Sequence, residues 1–190
     1  MRKKLQKKIY LRIISGKFGS RKIHAFYNKD MRPTTSIIRE TLFNWLDPHI
    51  IGSNCLDCFS GSGILGIEAI SRNASSVVSL ENKKKNFLSI KSNLKKLSIQ
   101  NLKIIYTNTL HWLKKNNFKY DIIFIDPPFH LNLINQTIFF LYTKKYTKKN
   151  TLIYIEYSYK NSTIKIPETW ILYKKKKSGT TIYSLYINKN

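Results

Sequence analysis

The chain has 190 residues, with 34 Lys or Arg against 10 Asp or Glu, a net charge of +24 when His is taken as neutral. Hydrophobic residues make up 42%, enough for one domain of this length to bury a core, and no run of about 18 apolar residues is present to cross a bilayer. The start, Met1-Arg2-Lys3-Lys4-Leu5-Gln6-Lys7-Lys8, lacks the apolar centre and cleavage site of a secretory leader, so a cytoplasmic location with no membrane partner is expected.

Residues 1–8 read as a flexible basic arm. Tyr10-Leu11-Arg12-Ile13-Ile14 and Ile23-His24-Ala25-Phe26 are short β-branched and aromatic runs around Ser15-Gly16-Lys17-Phe18-Gly19-Ser20, which predicts a hairpin. The hairpin carries Arg12, Lys17, Arg21 and Lys22, a basic set suited to phosphates. Arg32-Pro33-Thr34-Thr35-Ser36 then supplies a hydroxyl N-cap for an amphipathic helix through Ile37, Ile38, Thr41, Leu42, Trp45 and Leu46, expected to stop at Asp47-Pro48. Residues 9–50 form an extension ahead of a core over 51–190.

In that core short apolar runs alternate with helical patterns, which predicts an α/β fold with a largely parallel sheet and helices on both faces. Strands are expected near 54–58, 76–81, 103–106, 121–126 and 151–156, and helices over 64–72, 83–97, 109–116 and 132–143. Cys55 and Cys58 are too few for a zinc site, and three residues apart on a strand they point to opposite faces, so they read as small buried side chains. Ile122-Ile123-Phe124-Ile125 is apolar without alternation, as a central strand covered on both sides would be. Trp170-Ile171-Leu172-Tyr173 and Thr181-Ile182-Tyr183-Ser184-Leu185-Tyr186-Ile187 flank Lys174 to Gly179 and close the chain as an antiparallel hairpin.

Ligands of such sheets bind beyond the carboxyl ends of the strands. There stands Asp57-Cys58-Phe59-Ser60-Gly61-Ser62-Gly63-Ile64-Leu65-Gly66, whose glycines let backbone approach a ligand, with Glu81 ending the next strand in position to grip a ribose. A pyrophosphate would be repelled by Asp57 and Asp126 facing one crevice, whereas a cofactor carrying an ammonium and a sulfonium would be welcomed; S-adenosylmethionine has both. Asp126-Pro127-Pro128-Phe129 follows the most apolar strand. An exocyclic base amine is a poor nucleophile because its lone pair is delocalised, and acceptors for its hydrogens draw the nitrogen toward tetrahedral geometry. The Asp126 carboxylate and the Pro127 carbonyl supply such acceptors, the two prolines restrict the backbone, and Phe129 can stack on the base.

These motifs resemble those of amino-methyltransferases that use S-adenosylmethionine. Arg12-Ile13-Ile14-Ser15-Gly16, Arg32-Pro33-Thr34, Arg39-Glu40-Thr41-Leu42-Phe43-Asn44-Trp45-Leu46 and the stretch from Asp57 to Ala69 look, more narrowly, like the bacterial enzymes that methylate N2 of one guanine in 16S ribosomal RNA. The resemblance runs from about residue 11 to 129. It implies a Rossmann-like, seven-stranded class I methyltransferase sheet and a monomer acting on the small ribosomal subunit or its assembly intermediate. By position it implies Ser60, Gly61 and Gly63 beside the methionine part of the cofactor, Asp57 near its amino group, Glu81 on the ribose, Asn108 near the adenine, and Arg32, Thr34 and Arg39 orienting the RNA. Adenine N6 methylation of DNA or RNA, a catalytically idle RNA-binding factor, and an NAD-linked oxidoreductase are the alternatives. His24, His49 and His111 carry no pattern for metal or nucleophilic chemistry, and no metal is required.

Overall fold

The computed structural model describes residues 8–26, 35–128, 133–159 and 163–190. Residues 1–7 of the arm expected over 1–8, and Arg32, Thr34 and Phe129, lie outside these residues, whereas Lys8 already belongs to a strand.

The N-terminal hairpin pairs β1 (Lys8–Arg12) with β2 (Lys22–Phe26). Helix α1 (Ser36–Ile50) opens where Thr35 Oγ1 accepts the Ile38 amide at 3.3 Å. It passes through Pro48 rather than stopping there. Proline in the last turn removes only one donor near a terminus whose carbonyls are already losing partners, so the helix survives to Ile50.

The core then runs β3 (Asn54–Asp57), α2 (Ile64–Ser71), β4 (Ser76–Glu81), α3 (Lys84–Lys96), β5 (Leu102–Tyr106), α4 (Thr109–Lys115), β6 (Tyr120–Ile125), α5 (Ile134–Thr143), β7 (Thr147–Ser158), β8 (Trp170–Ser178) and β9 (Thr181–Asn188). One seven-stranded sheet has the order β5-β4-β3-β6-β7-β9-β8, parallel from β5 to β7 and antiparallel where β9 inserts between β7 and β8. Strand β7 starts four residues ahead of its expected position at 151, because a register shift between Tyr120 and Ile122 and a left-handed Asn150 (φ 67°) let the chain join β6 early. Lys174 to Lys177, expected to connect two strands, belong to β8 itself. They lie on the sheet's edge, where lysine is tolerated and discourages pairing with another chain.

Alternation along the central strands divides the core in two. Cys55, Ile122, Phe124, Leu152 and Tyr154 pack under the hairpin and α1 to α3, and Leu56, Cys58, Ile123, Ile125 and Ile153 pack under α4 and α5. The two cysteines are therefore buried on opposite faces. Burial pushes the Cys55 thiol up to about 12 and the Cys58 thiol well above its ordinary value. No helix among the described residues is long and apolar enough to cross a membrane.

Candidate active site

Glycine geometry shapes the loop after β3. Gly61 (φ 53°) and Gly63 (φ 79°) adopt left-handed backbone, and a Cβ on Gly63 would lie 2.9 Å from the Ile90 side chain. Main-chain bonds fix the loop to its neighbours: Cys58 N–H donates to the Phe124 carbonyl at 3.0 Å and Ser60 N–H to the Leu80 carbonyl at 2.9 Å. Thr109, at the start of α4, donates its hydroxyl to the Cys58 carbonyl at 2.5 Å. Sequence reasoning missed Thr109, since no local pattern marks a contact made by the far end of another unit.

Acidic side chains gather above this loop. Asp57 is the register partner of Ser79 on one side and Phe124 on the other, and Glu81 and Asp126 each follow two residues later on the same face. Asp57 is 1% exposed. Burial, with the charge of Glu81 adding to it, pushes its carboxyl up to about 7, although the Phe59 amide and Ser60 hydroxyl offset part of the rise. The hydroxyl falls short of hydrogen-bond geometry, so Asp57 Oδ2 and Ser60 Oγ are both buried without a partner. Such atoms cost stability unless a ligand completes them.

Glu81 is also buried, which raises its pKa, but local donors oppose the shift. Its Oε1 accepts the Lys83 amide at 2.6 Å and its Oε2 the Asn86 side chain at 3.4 Å, which orients the carboxylate at the strand's end. Asn108 caps α4, its Oδ1 accepting the His111 amide at 3.1 Å. Asp126 and Pro128 are half-buried and Pro127 is buried, directly beyond β6.

The expected RNA-contacting residues separate into two groups. Arg12, Lys17, Arg21 and Lys22 are exposed, with Lys17 and Arg21 lying 5.6 and 5.5 Å from the centroid of the buried Phe18 ring. Arg39 is not on the surface: it is 3% exposed, donates to the Arg12 carbonyl at 3.0 Å and pairs with Glu68 at 3.6 Å. Its burial corrects the expectation of an RNA contact, because a guanidinium committed to the interior cannot also reach a phosphate. Desolvation lowers its pKa and Glu68 opposes the shift.

Glu68 is the anchor beneath this region. Fully buried on α2, it accepts the Ile14 and Ser15 amides at 2.8 and 3.0 Å and pairs with Arg72 at 3.1 Å. One turn on, the Ser71 carbonyl accepts the Lys17 amide at 2.7 Å and the Ser71 hydroxyl accepts the Phe18 amide at 2.9 Å. Gly16 (φ 80°) is required here, since a Cβ would fall 1.9 Å from Ser71 O. The hairpin tip thus sits at the far end of α2 from the glycine loop, about 12 Å away for a helix of eight residues.

Comparison with known proteins agrees with this geometry. Residues 11–187 match the family described as Conserved hypothetical protein 95. The chain is 56% identical over 181 residues to Ribosomal RNA small subunit methyltransferase D of Buchnera aphidicola subsp. Acyrthosiphon pisum, covering 95% of this chain and 93% of that one. The Escherichia coli K12 protein of the same name is 37% identical over 176 residues, covering 93% and 89%. Among solved structures, a putative methyltransferase yhhF from Escherichia coli superposes with a TM-score of 0.88 at 36% identity, covering 95% of this chain and 98% of that one. With a family model matching residues 11–187 and a relative 56% identical over nearly the whole length, the chain belongs to the ribosomal RNA small subunit methyltransferase D family.

Proposed function

We propose that the protein transfers a methyl group from S-adenosylmethionine to the exocyclic N2 amine of one guanine in 16S ribosomal RNA, acting in the cytoplasm on the small subunit or its assembly intermediate. The observation that carries the cofactor is the buried, unpartnered Asp57 Oδ2 beside the equally unpartnered Ser60 Oγ. A carboxylate in that state calls for a cationic donor, and the ammonium of the methyl donor fits it. Ser60, Gly61 and Gly63 would hold the methionine part, Glu81 would accept from the ribose hydroxyls, and Asn108 would stand near the adenine. When bound, S-adenosylmethionine supplies a methyl carbon activated by its positive sulfur.

Asp126 and the Pro127 carbonyl accept the hydrogens of the guanine amine and hold its lone pair toward that carbon. Asp126, or a water beside it, would take up the proton that the amine sheds on methylation. Positioning supplies most of the rate. The target base must leave its stack to enter, and the exposed Arg12, Lys17, Arg21 and Lys22 offer phosphates a hold about one helix length away. Phe129, Arg32 and Thr34 complete the reading as a stacking ring and RNA-orienting groups. Labelled S-adenosylmethionine incubated separately with small subunits, naked 16S RNA and DNA should give N2-methylguanosine from ribosomal material. Methyladenine as the product, or transfer to DNA alone, would overturn the target. Asp126→Ala should abolish transfer while leaving RNA affinity within about twofold.

A further inference from the structure

Asp126 and Pro127 account for engagement of an exocyclic amine but not for a choice between guanine and adenine, since both bases carry one. Another carboxylate stands at the same level on the neighbouring strand. Ile125 and Ile155 are register partners, so Asp126 and Glu156 follow at adjacent positions, about 5 Å apart across the sheet. Phe124 and Tyr154, one alternation earlier, are also partners and share a core cluster, which puts Asp126 and Glu156 on one face.

Glu156 is 2% exposed, between Asp57 at 1% and Glu81 at 6%, so it belongs to the same buried floor. The Tyr154 hydroxyl donates to Glu156 Oε2 at 2.7 Å, and the Tyr154 ring meets Phe124 edge-on at 6.4 Å. Burial and then the charges of Glu156 and Asp126 hold the tyrosine protonated, so it remains a donor and fixes the carboxylate's orientation. An ionised carboxylate only accepts, and its two oxygens together can take several donors.

We infer that Glu156 is a specificity-determining residue that accepts the N1–H of the target guanine beside the amine held by Asp126. The inference rests on the guanine-N2 reading above. Guanine presents N1–H and the N2 amine as adjacent donors on one edge, matching two adjacent acceptors. Adenine seated by its amine would instead aim the N1 lone pair at Glu156, and the two would repel. The Asp-Pro-Pro motif alone cannot make that distinction; the strand beside it can.

The test uses the full-length enzyme and 16S RNA carrying either guanine or 2-aminopurine at the methylated position. 2-Aminopurine keeps the 2-amine but has a lone pair at N1. The wild type should favour guanine in kcat/KM by about 10- to 100-fold, the worth of a hydrogen bond to a charged group. Glu156→Gln should bring the two substrates to within about threefold, because its amide can donate to that lone pair, and Tyr154→Phe should narrow the gap by less. Equal loss on both substrates in Glu156→Gln would make Glu156 merely structural and overturn the inference. So would a wild type indifferent to the two bases, a result that needs no variant to fold. Failure of the underlying reading looks different: the wild type would then form no N2-methylguanosine at all.

Discussion

Two buried carboxylates flank the glycine loop, Asp57 ending β3 before it and Glu68 in the second turn of α2 after it. Glu68, 0% exposed, accepts two backbone amides and faces two guanidinium groups. Asp57, 1% exposed, keeps one oxygen without a partner and carries a pKa pushed up to about 7. The first is completed by the chain itself and binds the hairpin to the core. The second keeps an open oxygen, the place we propose for the cofactor's ammonium. Equal burial therefore carries opposite meaning, and the presence or absence of partners separates a structural charge from a ligand-binding one.

The contrast breaks most visibly at Glu68. Glu68→Ala leaves Arg39 buried without its counter-ion and two amides unpaired, and should cost about 3–5 kcal/mol by urea unfolding. Because Glu68 faces the hairpin and α1 rather than Asp57, the pH dependence of cofactor affinity in the folded fraction should be unchanged. Gly16→Ala attacks the same docking site through geometry, with a Cβ driven into the Ser71 carbonyl from a left-handed backbone. It should cost about 1–3 kcal/mol in the same experiment and leave Asp57 untouched.

Asp57→Asn should behave in reverse, holding or raising stability while weakening cofactor binding about 10- to 100-fold by calorimetry. Between the unfolded value near 3.9 and the folded value of about 7, the native state takes up a proton that the unfolded chain does not. Wild-type stability without cofactor should therefore fall as pH rises through that window, and Asp57→Asn should flatten the fall. The smallest effect belongs to the hairpin tip. Replacing Lys17 and Arg21 with Ala should weaken RNA binding uniformly and reduce the slope of log affinity against log salt by about 0.7 for each phosphate left unneutralised.

Legibility in the sequence follows how local each signal is. The parallel strands can be read because apolar runs alternate with helical spacing, and Asp57, Gly61, Gly63 and Asp126 can be read because each sits at a strand end. Arg39 passes for surface charge, although it lies three, four and seven residues before Leu42, Phe43 and Leu46, on the helix's apolar stripe. Glu68 likewise interrupts the run Ile64-Leu65-Gly66-Ile67 before Ala69 and Ile70, which marks it as buried but does not name its partners. Arg72 is a local partner four residues on, but Ile14, Ser15 and Arg39 come from the hairpin and α1, distant in the chain. Pro48 and Lys174 to Lys177 mislead because their local preference is for ends and turns, while position near a helix terminus and on a sheet edge decides the outcome. Glu156 carries no signal until β7 is set beside β6.

The most direct measurement is the calorimetric affinity for S-adenosylmethionine from pH 5 to 7 in the wild type and in Asp57→Asn. The window stays below the titration of the cofactor's own amine, near 8. Binding of the cation requires ionised Asp57, so wild-type affinity should rise with pH, approaching tenfold per unit below about 7. The variant should bind more weakly and without that slope. Wild-type affinity that is flat across the window, or a variant that binds as tightly as the wild type, would contradict the assignment of Asp57 as the cofactor's counter-ion.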